Sequence, residues 1–366
     1  MGFRCGIVGL PNVGKSTLFN ALTNAAPADT GNYPFCTVEP NVGRVPVPDR
    51  ELEELARVAK SARTVPTMLD VVDIAGLVRG ASNGEGLGNQ FLAQIREVEA
   101  ILHVVRCFED DQVSHVEGPV DPIRDIELIE TELMLADLES LERQLDGVTK
   151  RARGDDKEAK ALKPLIEAAL EVLRDGRPVR ALTVSQAERP LLKLLHLLTA
   201  KPVLYVCNVD EADAQGGNVL SAAVERRAAE EGAEAVVVSA AIEADIAALG
   251  EAEEKRAFLD DLGLEAAGLE RVIHAGHRLL GLIRFMTCGP NEARAWTLKK
   301  GASAREAAGN IHSDMARGFI CAETITFADF VASGGETGAK TAGKMRQEGA
   351  DYAIKESDVI LFRFNV

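Results

Sequence analysis

The sequence predicts an α/β protein: a parallel sheet with interleaved helices, interrupted by a coiled-coil helical hairpin and followed by a small α+β unit. Three observations predict it. Residues 4–22 read as a strand, a glycine loop and a helix. Short β-branched runs then alternate with helically spaced segments, the pattern of a parallel sheet. One stretch among them carries a heptad seam instead.

Arg4-Cys5-Gly6-Ile7-Val8 is short and apolar, as a buried strand is, and residues 17–22 are apolar at helical spacing. Between them, Gly9-Leu10-Pro11-Asn12-Val13-Gly14-Lys15-Ser16 reads G-x-x-x-x-G-K-S, a phosphate-binding loop. Its glycines let the backbone turn with N–H groups inward, and those groups plus the helix dipole make a nest for phosphate. Lys15 would reach the β- and γ-phosphates, and the Ser16 hydroxyl would ligate Mg2+.

Residues 32–40 hold two prolines and form a loop containing Thr37. Residues 43–47 suggest an edge strand and 51–60 a short helix. Residues 68–72 suggest a buried strand ended by Asp73, and Asp73-Ile74-Ala75-Gly76 is a D-x-x-G. The loop beyond carries Gly80, Gly84, Gly86 and Gly88. Helical spacing resumes at 89–98, residues 100–107 form the next strand, and 109–118 a polar loop.

From Asp125 onward Met134, Leu138, Leu141, Leu145, Val148 and Ala152 step by four and three, a heptad seam. Gly154-Asp155-Asp156 breaks it, and Leu162, Ile166, Ala169 and Leu173 repeat it, which makes an antiparallel hairpin. Lys150, Arg151, Arg153, Lys157, Lys160 and Lys163 gather at its turn. Such a tip is either a solvated end or, in an acidic protein, a contact for RNA or the ribosome. Strands at 202–207 and 235–238, the second ending at Ser239-Ala240, alternate with helices at 191–198 and 219–231. The last part changes pattern, with strands at 295–298, 324–327 and 359–364 around a helix at 304–312. The expected domains are 1–122 with 201–280, 123–200, and 281–366.

The 366 residues are 46% hydrophobic and 27% charged, as in a soluble globular chain. A net charge of −16 argues against wrapping DNA, and 4% aromatics argue against stacking single strands. No run approaches a membrane span and no signal segment leads the chain, so the expected location is cytoplasmic, without membrane contact. The six cysteines form no C-x-x-C pair, so free thiols are expected rather than zinc.

Three features complete a nucleoside-triphosphate site. Thr37 can add a hydroxyl to the Mg2+ shell, Asp73 can hold the same ion through water, and the Gly76 N–H can bond the γ-phosphate. With these residues in this order the chain resembles the YchF/Obg-like ATPase family. The resembling segments are 9–16, 32–40, 73–88, 208–211 and the carboxy-terminal unit, nearly the whole chain. The resemblance implies an ATP-hydrolysing switch that binds ribosomes or their RNA. It also implies that the last unit is a β-grasp module of the TGS type.

Guanine-specific relatives carry N-K-x-D, whose aspartate accepts from guanine. This chain has Asn208-Val209-Asp210-Glu211. The longer carboxylate of Glu211 does not suit that geometry, which removes the guanine preference. The resemblance therefore implies ATP. A one-residue shift could let Asp210 restore a guanine contact, which keeps GTP as the alternative. Val13, Thr17, Asn208, Val209, Ser239 and Ala240 complete the candidate nucleotide contacts. Leu77 stands where Ras-like enzymes place a water-orienting glutamine, so turnover is slow or partner-assisted, or the chain is a nucleotide-gated binding module with little hydrolysis. His115, in the polar loop, is the candidate catalytic residue, set against an ordinary surface histidine. Asn12 is a candidate K+ ligand, set against a residue that only shapes the loop.

Overall fold

The computed structural model describes residues 3–24, 42–74, 87–110 and 118–365. The expected roles of Thr37, Gly76, Leu77 and His115, and the loops around them, lie outside these residues. The chain divides into two compact units, one of residues 1–45 with 70–276, the other of 46–69 with 277–366.

In chain order the elements begin with β1 (Arg4–Val8), α1 (Lys15–Asn24), β2 (Val42–Pro46), α2 (Arg50–Ala59), β3 (Thr64–Val65) and β4 (Met68–Asp73). Next come α3 (Leu87–Glu97), β5 (Ala100–Arg106), α4 (Pro122–Ala152), α5 (Lys157–Arg174) and α6 (Arg189–Leu194). They are followed by β6 (Val203–Asn208), α7 (Val219–Glu231), β7 (Glu234–Val238), α8 (Ala240–Ala248), α9 (Ala252–Asp261) and α10 (Gly268–Leu279). The chain finishes with β8 (Leu282–Cys288), β9 (Ala293–Lys299), α11 (Ala304–Ile311), α12 (Ser313–Arg317), β10 (Phe319–Thr326), α13 (Phe327–Ala332), α14 (Glu336–Thr341), β11 (Arg346–Glu348) and β12 (Asp358–Phe364).

The first sheet has the order β2-β4-β1-β5-β6-β7. β1 runs parallel to β4 and β5, β5 to β6, and β6 to β7. Every residue of β5 and β6 is buried, as expected for parallel strands covered on both faces. His103 within β5 is buried against Tyr205, with ring centroids 5.6 Å apart, and burial lowers its pKa to about 3. It is a core histidine.

The heptad seam folds as its spacing requires. Asp121 caps α4 by accepting from the N–H groups of Ile123 and Arg124, with Pro122 in the first turn, where its missing N–H costs nothing. Leu141 and Val148 of α4 bury against Ala159, Leu162, Ile166, Ala169 and Leu173 of α5, with Met134, Leu138, Leu145 and Ala152 packed beside them. The base of the hairpin is fastened by Asp137, whose buried carboxylate accepts from Leu198 N–H, Thr199 N–H and the Thr199 hydroxyl at 2.7–2.8 Å.

In the second unit the sheet order is β11-β10-β12-β8-β9-β3. A β8–β9 hairpin, a parallel β12 beside β8, and an antiparallel β10 beyond it make a β-grasp arrangement. α11 covers one face through Ala304, Ala307 and Ala308 over Phe285, Ile360 and Phe362. The other face is covered by α2, whose Leu52 and Leu55 join Met286, Ala295, Ile325, Phe330 and Val359. Here the structure differs from the sequence expectation, which assigned residues 46–69 to the nucleotide-binding part. α2 is strongly amphipathic, and the surface that buries its apolar side belongs to the β-grasp sheet. β3 adds to the edge of that sheet, parallel to β9.

Candidate functional site

The sheet order reverses on either side of β1, and the carboxyl ends of the strands around such a point form the binding crevice of an open α/β sheet. The candidate residues lie there. The phosphate loop follows β1, Asp73 ends β4, Asn208 ends β6, and Ser239 follows β7.

The loop needs its glycines. A Cβ on Gly9 would stand 2.5 Å from the Val104 carbonyl oxygen. Gly14 has φ +95°, and a Cβ there would lie 2.4 Å from the Asn208 side-chain nitrogen. Asn12 is exposed with φ 62°, a left-handed conformation that asparagine tolerates better than most residues. Leu18 N–H donates to the Gly14 carbonyl at 2.9 Å, which starts α1. Ser16 and Thr17 are exposed in its first turn, while Val13 is buried.

Lys15 is buried, and its Nζ donates to the Leu10 carbonyl at 2.5 Å. Burial lowers its pKa from 10.5 to about 8, and the Asp73 carboxylate partly offsets that. Asp73 is held above its ordinary value by burial, with Lys15 opposing. The two opposite charges therefore act on one another at this end of the sheet.

Asn208 ties three loops together. Its Nδ2 donates to the Val13 carbonyl at 3.0 Å, and its Oδ1 accepts from Ala240 N–H at 2.9 Å. Both bonds are buried. Val209 is buried too, with its N–H donating to the Val238 carbonyl at 2.8 Å. Glu211 is exposed and opens a short 3-10 turn, Glu211–Asp213. Ser239 is buried, yet its hydroxyl has no hydrogen-bond partner among the described residues. A buried hydroxyl without a partner costs about 1–3 kcal/mol, and this one follows a strand whose carboxyl end borders the crevice, which suits a site completed by a ligand.

One functional candidate is absent from the sequence expectation. Arg106 ends β5 and is 1% exposed. Its Nε donates to the Phe108 carbonyl at 3.1 Å, its Nη2 to the Asp110 carbonyl at 3.2 Å, and its guanidinium lies 4.5 Å from the Phe108 ring centre. Asp210, the residue that could shift into guanine recognition, stands in the field of Asp213, Asp110 and Arg106. Burial and the two like charges raise its pKa.

The glycine cradle, the buried lysine and the orphaned hydroxyl fit a nucleoside triphosphate, and the Ser16 hydroxyl and Asp73 carboxylate are oxygen donors suited to Mg2+. Fold and site together define a P-loop nucleotide-binding protein. The comparisons agree: residues 4–133 match a family model described as a 50S ribosome-binding GTPase. Residues 282–365 match the YchF GTPase carboxy-terminal model, described as a protein of unknown function. "Ribosome-binding ATPase YchF" of Escherichia coli O157:H7 is 55% identical over 366 residues, covering all of both chains. Its namesake in Bacillus subtilis strain 168 is 52% identical with the same coverage. The solved structure of the Schizosaccharomyces pombe YchF GTPase is 37% identical, covers 99% of this chain and 98% of that one, and superposes with a TM-score of 0.88. The chain belongs to the YchF family.

Proposed function

We propose that this chain is a ribosome-binding ATPase of the cytoplasm, an Mg2+-dependent switch whose turnover is slow until a partner assists. The names of its relatives divide between ATPase and GTPase. The observation that carries adenine is the base-reading run. Asn208 keeps its structural bonds to Val13 and Ala240, but Val209 replaces the lysine and Glu211 the aspartate of a guanine reader.

Lys15 would turn from the Leu10 carbonyl to the β- and γ-phosphates, and loop N–H groups would hold the β-phosphate. Ser16, with Thr37, would hold Mg2+, and Asp73 would support it through water. The ion when bound neutralises charge on the bridging phosphate oxygens. Gly76 would bond the γ-phosphate, His115 would orient the attacking water, and Asn12 would ligate K+ if activity proves to require it over Na+. Ser239 and Ala240 would border the base.

The test compares ATP and GTP affinity of the full chain, then turnover with and without purified ribosomes, for the parent and His115→Ala. ATP should bind at least about tenfold tighter, since a misfitted carboxylate removes the guanine contacts. Ribosomes should raise turnover, and His115→Ala should lower kcat with KM little changed. A tenfold GTP preference overturns the base assignment, and a parental rate for His115→Ala removes its role. Leu77 favours a second reading, a nucleotide-gated binding module, in which turnover stays at background even with ribosomes.

A further inference from the structure

We infer that the turn of the α4–α5 hairpin is a contact surface for the phosphate backbone of RNA. The inference deepens the ribosome reading above and names the surface it uses. Residues 150–163 carry six cations against Asp155, Asp156 and Glu158, in a chain of net charge −16. Three of the six are engaged within the hairpin. Arg151 pairs with Asp156 at 3.6 Å, Lys160 with Asp155 at 3.4 Å, and Lys163 with Glu167 at 3.2 Å. Lys150, Arg153 and Lys157 are exposed and have no ion pair among the described residues.

Helix stability does not account for this placement. Cations suit the carboxyl end of α4, where Lys150 and Arg151 stand, because the helix dipole is negative there. Lys157 and Lys160 stand instead in the first two turns of α5, where the dipole favours acids. They oppose the local electrostatics of their own helix, and a bound polyanion reverses that opposition. The surface is also ordered. Asp156 caps α5 by accepting from Ala159 N–H at 3.0 Å, and Val148, Ala159 and Leu162 are buried beneath the turn.

Two further observations select this tip. Down the shaft of α4 the exposed acids Glu139, Glu142 and Asp146 outnumber the exposed Arg143, which pairs with Glu139, so attraction for a polyanion is greatest at the end. In the β-grasp unit Lys344 is engaged by Asp329 and Arg346 by Glu348 and Asp358, which leaves the exposed Lys300 and Lys340, far apart in sequence, against three such cations within residues 150–157 at the tip.

The experiment replaces Lys150, Arg153 and Lys157 with Gln together in the full chain. Binding is measured across a salt series to 70S ribosomes and to protein-free ribosomal RNA. Both affinities should fall about tenfold or more, and the slope of log affinity against log salt should shrink by about 2–3, the value for three phosphate contacts. ATP affinity and ribosome-free turnover should stay parental, and a variant with Lys150→Arg and Lys157→Arg should bind as the parent does. Unchanged binding by the Gln variant overturns the inference. Loss on ribosomes with parental binding to bare RNA also overturns it, in favour of a ribosomal protein as the contact. A parent that binds RNA but not ribosomes overturns the ribosome reading and leaves the RNA contact standing.

Discussion

Nucleotide affinity should fall above pH 8, because the phosphate-loop lysine is buried before nucleotide arrives. Burial lowers the pKa of Lys15 from 10.5 to about 8 against the pull of Asp73. A triphosphate favours the charged amine and raises that pKa again. Below pH 8 the free site is already protonated and affinity is level. Above pH 8 each binding event must take up a proton, and affinity falls by up to about tenfold per unit. At pH 9 about nine-tenths of free sites are neutral, so the dissociation constant should be about tenfold above its pH 7 value. The same shift acts on stability with the opposite sense. Keeping the charged lysine buried costs the nucleotide-free fold about 3 kcal/mol below pH 8, and this cost fades as pH rises toward 10.5. Calorimetric titration with a non-hydrolysable ATP analogue, in buffers of different ionisation enthalpy, reads both affinity and proton uptake. Lys15→Arg keeps its charge throughout and should bind more weakly but without the pH dependence. Asp73→Asn removes the opposing charge and should move the fall to lower pH. A flat parental profile from pH 7 to 9.5, or a Lys15→Arg variant that keeps the fall, would refute this account.

Restoring the guanine reader with Val209→Lys and Glu211→Asp should shift the ATP-to-GTP affinity ratio toward GTP by about tenfold or more, checked by competition binding. Asp137→Ala leaves three buried donors at Leu198 and Thr199 unpaired and should destabilise the first unit by about 3–5 kcal/mol. Hydrogen exchange at the Leu198 and Thr199 amides reads the loss, and parental protection there would contradict it. Arg106→Met releases the Phe108 and Asp110 carbonyls at the exit of β5. Its expected signature is a lower kcat at nearly parental ATP affinity, and an equal loss of both would point to a purely structural role.

Much of the site was legible because its chemistry is local. Gly9 to Ser16 works through backbone conformation, so the glycines had to stand in the loop itself. The hairpin was legible for a similar reason: a seam repeating by fours and threes can bury itself only against another such helix. Other elements gave weaker signals. β8 carries Arg284 among apolar residues and lacks clean alternation, while α8 to α10 follow β7 with no strand between them. Arg106 was passed over because nothing in a sequence tells a buried arginine from one that ends a strand in water.

Sequence by itself therefore determined the order of elements, the phosphate cradle and the departure from guanine reading. Each depends on residue type and on neighbours a few positions away. Tertiary structure alone decided that residues 46–69 complete the β-grasp core, since α2 shows an apolar face but does not name the surface that will cover it. It also decided that Asn208 bolts Val13 to Ala240, that the Ser239 hydroxyl is left without a partner, and that Lys15 loses most of its hydration. Hydrogen-bond satisfaction and desolvation are set by whatever packs around a group, and those neighbours come from strands that lie far apart along the chain.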